Sequence, residues 1–496
     1  MRQMARYRLY TLLSVCVAFL LATATGWSQP LTWLGVLPGQ SSSFARRVSE
    51  DGSTVVGSSY YPYRWTRTTG MQQLATYRGV SEGVTADGSV VVGWLLDDIH
   101  YRAFRWTAQT GTVILSRLPG ASSSVASDIT PDGRWIFGDS NPLPCCVEGH
   151  VHAVRWDGNT LQIQDLGFLR DYSLTKPWSA AANGAACVGS AWRPHNRAFR
   201  WTESGGVQDL GTLGGQQSDA WDVSADGTVV VGRAQDSSNQ WRAFIWREGI
   251  GMQALPTPSG WSASVAYALA ADGTIVGTAL DASGQWHATR WTTNGFENLN
   301  QTYASLLLGG SRLIEARDIS ANGRYIVGTG YNAATGREEA FLLDTRKLAV
   351  IRGTLTLGDY VGDPSLVPVS VRLRKEGGSE ETRTIFTERN GNYSLWLEPG
   401  TYEVSFKASH WLRVNLTGVT LGPAEEVTGQ DATLTNGDID GDNEVTLFDF
   451  GELVAAFGSM PGDSNWNPDA DLDGDEEVTL FDFGILVQNF GAIGDE

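Results

Sequence analysis

The chain has 496 residues, 42% of them hydrophobic, and a formal net charge of −19. That length exceeds one ordinary core and calls for roughly two to four domains, while so acidic a chain is a poor partner for nucleic acid. With 58 glycines, 19 tryptophans and no long heptad run, the composition favours many short strands over a helical architecture.

The N-terminus reads as a secretory signal over residues 1–24. Arg2, Arg6 and Arg8 form the positive region, Leu12 to Ala22 the apolar one, and Ala22-Thr23-Ala24 the small-residue cleavage site. The apolar run ends by Thr23, short of the ~20 residues a bilayer span needs, so a secreted or cell-surface protein is expected, with no membrane span after signal removal. Cys16 lacks a lipoprotein-type context. Cys145, Cys146 and Cys187 remain, too few for a disulfide framework in a chain of this size, and spacing does not decide whether Cys187 is bridged.

Residues 31–348 are dominated by a repeat. Its plan is V-S-x-D-G-x-x-V-V-G, a variable stretch, R-A-F-R-W-T, a turn and G-M-x-x-L. The Asp-Gly or Asn-Gly pair recurs at Asp51, Asp87, Asp132, Asn183, Asp226, Asp272 and Asn322. The closing tryptophan recurs at Trp65, Trp106, Trp156, Trp201, Trp246 and Trp291, and Leu343 replaces it in the seventh copy. Each unit reads as four strands, with the Asp-Gly pair expected as a tight hairpin whose two turn residues both take φ > 0. A four-strand unit cannot bury its own faces, so the copies must pack on one another. Seven fit a closed propeller, the rival being an open β-solenoid. The seventh copy lacks G-M-x-x-L, and Leu31-Thr32-Trp33-Leu34-Gly35 matches a fourth strand, so residues 31–35 are expected to complete the last blade.

The strands Arg102-Ala103-Phe104, Arg197-Ala198-Phe199 and Arg242-Ala243-Phe244, with variants at His152-Ala153-Val154 and His287-Ala288-Thr289, resemble extracellular HAF repeats. The resemblance implies an extracellular repeat protein and brings no agreed activity.

Between residues 350 and 434 the pattern changes. Val367–Leu373 alternates as a strand, and Gly391-Asn392-Tyr393-Ser394-Leu395 with Pro399-Gly400-Thr401-Tyr402-Glu403-Val404 marks turns followed by strands. This arrangement resembles the carboxypeptidase regulatory-like or Cna-B-like β-sandwich, which implies a spacer or a carbohydrate-associated appendage.

The tail, residues 436–496, holds 16 Asp plus Glu and no Lys or Arg. It also carries regular apolar positions, so its charge is expected to hold a cation rather than to keep the segment disordered. Asp438, Asp440, Asp442 and Asp449 stand at positions 1, 3, 5 and 12 of a twelve-residue loop, and Asp471, Asp473, Asp475 and Asp482 repeat them. Glu444 and Glu477 at position 7 would offer backbone carbonyls, and Thr446 and Thr479 at position 9 would bind directly or through water. Hard oxygens at this spacing suit two Ca2+ ions, whereas Mg2+ keeps its waters. Both copies share Glu-Val-Thr-Leu-Phe-Asp-Phe-Gly. Phe450, Leu453, Val454 and Phe457, repeated as Phe483, Leu486, Val487 and Phe490, predict two short amphipathic helices packed on each other.

A duplicated loop with exit helix and Asp at position 12 resembles a type I dockerin, implying calcium-dependent attachment to a cohesin-like or other cell-envelope receptor. The sequence departs from that pattern in two places. Asn443 and Glu476 stand at position 6, where Gly is usual, so Glu476 is expected to strain the second loop. Leu447-Phe448 and Leu480-Phe481 occupy positions that are small and polar in cellulosomal dockerins. They point either to a different receptor or to packing on the middle module.

Other candidates are weaker. Cys145, Cys146, His150 and His152 could share a metal, but His152 holds the ordinary repeat position. Two carboxylates on the propeller face could serve a glycosidase, though the repeated aspartates occupy turns. No phosphate loop or nucleophile elbow is present. The expectation is a mainly β chain: a seven-bladed β-propeller (31–348), a small β-sandwich (350–434) and a small α-helical, calcium-binding, dockerin-like domain (436–496). Its expected role is non-catalytic binding or display, with a glycan or protein ligand on the propeller. The alternative is a polysaccharide-degrading enzyme with its site on the propeller face.

Overall fold

The computed structural model describes residues 30–141, 151–168, 174–192, 195–346, 348–378, 380–422 and 425–496. The expected signal segment, Cys145, Cys146 and His150 lie outside them. The chain divides into two compact units, the first being Pro30–Thr345 and the second including Arg346–Glu496.

In the first unit each repeat becomes one antiparallel sheet. In the second copy the strands Gly79–Val84, Val90–Asp97, His100–Thr107 and Gly111–Ile114 lie side by side in chain order. Seven such sheets form among the described residues. Their first strands are Phe44–Val48, Gly79–Val84, Ser123–Ile129, Leu174–Ala180, Gly214–Val223, Ala263–Leu269 and Arg312–Ile319. Each packs on the next in order, and Arg312–Ile319 packs back on Phe44–Val48, so the sheets surround an axis as a β-propeller. The open solenoid is thereby set aside. Leu31–Trp33 pairs antiparallel with Arg337–Asp344, Leu31 opposite Leu343, and covers the edge the seventh copy leaves bare.

The Asp-Gly turns differ from expectation. Only the glycine of each pair takes positive φ, from 68° at Gly52 to 86° at Gly273, and none of the seven Asp or Asn residues does. The Asp side chain instead closes a longer turn over residues 224–228 and its equivalents. Asp226 Oδ1 accepts from Thr228 N at 3.0 Å and from Ser224 Oγ at 2.6 Å. The serine hydroxyl and the turn amide hold this carboxyl down at about 2. These aspartates are turn formers through their side chains.

The [H/R]-A-F strand has a packing reason at each position. The basic residue pairs outward, as Arg197 does with Asp209 at 3.0 Å and His152 with Asp165 at 2.8 Å. The alanines at 103, 153, 198, 243, 288 and 340 are wholly buried. At 103, 198 and 243 the alanine amide donates to a serine of the following sheet, as Ala198 N does to Ser218 Oγ at 2.9 Å. Phe104, Phe199, Phe244 and Phe341 fill the core.

All seven first strands carry a β-bulge one or two residues before their last apolar position. The glycine of V-V-G lies against it. A Cβ on Gly232 would overlap Asp219 O, and one on Gly93 would overlap Val80 O. The motif thus allows the close approach that the bulge requires. The extra residues are Arg46, Glu82, Ser127, Trp178, Trp221, Tyr267 and Arg317. Below them Asp128, Asp222 and Asp318 each bind the following sheet, through Ala180 N at 3.0 Å, Leu269 N at 2.8 Å and Val48 N at 2.8 Å. Arg47 lies 3.8 Å from both Asp128 and Asp318.

Cys187 is a free, wholly buried thiol within Ala186–Trp192, and burial pushes its pKa up.

In the second unit one sheet holds Asn392–Leu397, Ala349–Leu357, Glu426–Val427 and Ala432–Leu434. The other holds Glu380–Ile385, Val369–Lys375, Gly400–Ala408 and Trp411–Leu421. Both contribute to one core that includes Ile351, Val371, Leu395, Val404, Phe406 and Trp411. The helices Leu447–Ala456 and Leu480–Asn489 follow the two acidic loops. They touch through Phe450 and Phe483, whose ring centroids are 6.1 Å apart. The apolar stripe, however, is not what they bury. Leu453 and Leu486 enter a core with Ile439, Val445, Leu472 and Val478, while Val454, Phe457, Val487 and Phe490 stay exposed. With Ile439 and Leu472 at position 2 and Val445 and Val478 at position 8, the loops supply most of the apolar partners. Each short helix therefore needs only a narrow face inward.

Candidate metal centre

Each acidic loop brings three carboxylates together. Oxygens of Asp438, Asp440 and Asp442 lie within 4.8 Å of one another, as do those of Asp471, Asp473 and Asp475. The backbone sets their aim. Asp442 N donates to Asp440 Oδ1 at 3.1 Å and Glu444 N to Asp442 Oδ1 at 2.9 Å, with Asp475 N and Glu477 N repeating this on Asp473 and Asp475. One oxygen of each of these carboxylates is thus tied to the loop. Asp438 Oδ1 accepts from Asn443 N at 3.2 Å, and Asp471 Oδ2 from Glu476 N at 3.0 Å.

Asp449 and Asp482 are wholly buried beneath the loops. Asp449 Oδ1 accepts from Ile439 N at 2.6 Å and Asp440 N at 3.1 Å, and Oδ2 accepts from Thr446 N at 2.7 Å. Thr446 and Thr479 cap the two helices, forming capping boxes with Asp449 and Asp482. The structure therefore groups positions 1, 3 and 5 as candidate ligands, with position 12 bracing the loop from below and position 9 starting the helix. Glu444 and Glu477 are exposed.

The electrostatics suit a cation. Burial, then repulsion from Asp482, Asp475 and Asp471, pushes Asp473 up to about 6. Asp471 and Asp440 are also raised, first by burial and then by neighbouring carboxylates. Three hard oxygen donors with no nitrogen or sulfur among them fit an oxygen-seeking divalent ion of the Ca2+ type.

One participant was not visible in the loop sequence. Lys407 Nζ, on the neighbouring strand Gly400–Ala408, lies 2.7 Å from Asp438 Oδ2 and also donates to Ser409 O and Trp411 O at 2.8 Å. Further bonds seat the tail on the two-sheet module: Arg413 N to Asn443 Oδ1 at 2.8 Å, Val361 N to Asp473 O at 2.8 Å and Asn436 Nδ2 to Gly358 O at 3.1 Å. Leu412 joins the tail core. Sequence alone offers no signal for Lys407, because only the register of the strand brings it to the loop.

Asn443 and Glu476 take φ of 74° and 70°. Asn tolerates this conformation and Glu does not. Replacing Glu476 with Gly is expected to stabilise the tail by about 1 kcal/mol, read as slower exchange of the 471–482 amides at saturating calcium. Unchanged exchange would show that the loop carries no such strain.

No family model and no curated protein matches the chain. Among solved structures it is similar to a chain of a type II Cohesin-X-Dockerin complex from Acetivibrio cellulolyticus, at 21% identity over 29% of this chain and 97% of that one, TM-score 0.25. It is also similar to the β-propeller domain of the Trilobed protease from Pyrococcus furiosus, at 12% identity over 61% and 94%, TM-score 0.43. TolB from Acinetobacter baumannii is similar at 12% identity over 61% and 63%, TM-score 0.34. At these scores none of the likenesses bears on activity, ligand or partner.

Proposed function

We propose that this is a secreted, non-catalytic binding or display protein. It would be a seven-bladed propeller and a β-sandwich held to a protein partner by a calcium-folded, dockerin-like tail. The observation that carries the reading is the pairing of two three-carboxylate loops with a duplicated apolar surface. Leu447 and Phe448 are 72% and 73% exposed, and Leu480 and Phe481 are 72% and 75% exposed. Phe450 and Phe483 meet at the centre, so the two copies form one patch. A chain this acidic gains solubility from its charge, and an apolar patch left open within its most acidic segment suits a partner. Leu447-Phe448 and Leu480-Phe481 are therefore read as facing a receptor rather than the middle module. Calcium would act by setting the loops from which both helices start.

The test is capture from the envelope and secreted fraction of the producing organism, with mature protein and a truncation ending at Leu434, each in calcium and in chelator. Capture is expected to need both the tail and calcium. The pair Phe448→Glu and Phe481→Glu is expected to abolish it, since both side chains are solvent-facing and their replacement leaves the fold intact. Capture by the truncation alone would move recognition to the propeller and overturn the attachment role.

A further inference from the structure

The seven bulges of the propeller place one residue per sheet around its axis, and these residues are not equivalent. Three consecutive sheets supply an aromatic wall: Trp178 and Trp221 have ring centroids 5.2 Å apart, and Trp221 and Tyr267 5.9 Å apart. Arg317, from the next sheet, covers its edge, 4.2 Å from the Tyr267 ring and 4.9 Å from the Trp221 ring. The remaining arc is polar. Arg46 Nε approaches Glu82 Oε2 at 3.5 Å, and Ser127 follows.

Bulges re-aim side chains, and they recur beside functional sites. A purely structural plug would satisfy its polar atoms against one another. Here Arg46 Nε, Ser127 Oγ and Trp221 Nε1 are buried and have no hydrogen-bond partner. The layer beneath behaves differently: its Asp128, Asp222 and Asp318 are bonded to backbone amides of adjacent sheets and flank Arg47. Buried atoms without a partner also occur elsewhere in this unit, at Ser81 Oγ, Arg105 Nε and Thr289 Oγ1, but three fall on the ring that carries the aromatic wall, and buried polar atoms of this kind call for a partner.

Deepening the reading of the propeller as a ligand-binding surface, on which it rests, we infer that this ring is a binding site for the end of a neutral saccharide. A pyranose has an apolar C–H face suited to the Trp178–Trp221 wall and hydroxyls that both donate and accept. Those hydroxyls match Arg46, Ser127 and the Trp221 N–H as donors and Glu82 as acceptor. Glu82 stands 3.5 Å from Arg46 and offsets its charge within the ring, which favours hydrogen bonding to a neutral ligand over binding of an anion. The carboxylates beneath would add further cost to a charged sugar.

The experiment titrates the full mature chain with maltotetraose, cellotetraose, xylotetraose and mannotetraose, and with trigalacturonate as the anionic arm. Binding is read by saturation-transfer NMR and calorimetry. At least one neutral tetrasaccharide is expected to bind equally in calcium and in chelator, so failure here is distinct from failure of the tail to attach. Trp221→Ala is expected to weaken binding at least about tenfold, and Trp221→Phe, which keeps a ring but loses the N–H, by a few-fold. Arg46→Gln provides an independent loss should the first variant melt early. The site is overturned if no neutral tetrasaccharide binds, if only trigalacturonate binds, or if both Trp221→Ala and Arg46→Gln bind within about twofold of the parent.

Discussion

Removing calcium from the full chain is expected to open the amides of residues 438–449 and 471–482 to hydrogen exchange while the inner propeller strands stay protected. The tail core is small, and each loop otherwise holds three carboxylates within 4.8 Å. An ion that binds only the folded loop, present at about 100 times its Kd, contributes about 2.7 kcal/mol per site. The double variant Asp440→Asn and Asp473→Asn should exchange at a rate that no longer depends on calcium. Equal protection of the parent in calcium and in chelator would remove calcium from the folding of this segment. The pH response should reverse with the ion. An unfolded Asp titrates near about 3.9, whereas Asp473 is pushed up to about 6 in the fold. Folding therefore favours its protonated form. Without calcium, the tail should gain stability as pH falls from about 6 towards about 4 and lose it as pH rises through that window. With calcium, protons compete for the same oxygens, and acidification below about pH 6 should loosen the loops.

The second large effect is expected at Arg47. It is the cation among Asp128, Asp222 and Asp318, and their charges outweigh the cost of its burial and keep it protonated. Arg47→Met would leave the aspartates facing one another without it, and breaking a buried pair in this way costs about 3–5 kcal/mol. Burial already pushes Asp318 up to about 7 against the pull of Arg47. Its folded value lies above its unfolded one, so protonation restores stability as pH falls through about 7. The variant should thus lose much more thermal stability than the parent at pH 8, and the deficit should shrink at pH 5. A deficit of the same size at both pH values would assign the loss to packing rather than to charge.

Much of this molecule could be read along the chain because its information is local and repeated. V-V-G and R-A-F-R-W recur in the same order in copy after copy, so strand order within each sheet followed, as did the supply of the missing strand by Leu31–Trp33. Carboxylates at alternate positions of a short loop must converge wherever the loop turns, so the groups around Asp440 and Asp473 were visible in spacing alone. Positive φ at Glu476 followed from its position in the same loop.

What sequence could not reveal depends on contacts between distant segments or on choices among local bonds. The Asp-Gly pairs gave longer turns because a nearby serine or threonine hydroxyl and a turn amide compete for the carboxylate, as at Ser224 and Asp226. The helix stripe remained outside because Ile439, Val445, Leu472 and Val478 had already filled the small core. Lys407 reaches Asp438 only through the register of a strand 31 residues away. Most of all, Arg46, Glu82, Ser127, Trp178, Trp221, Tyr267 and Arg317 form no pattern in the sequence, being unlike one another and spread over some 270 residues. Sequence determined that each repeat would be a four-stranded sheet. Closure of the ring decided that seven dissimilar residues would meet on one axis, since only a closed arrangement turns equal positions in separate sheets into neighbours.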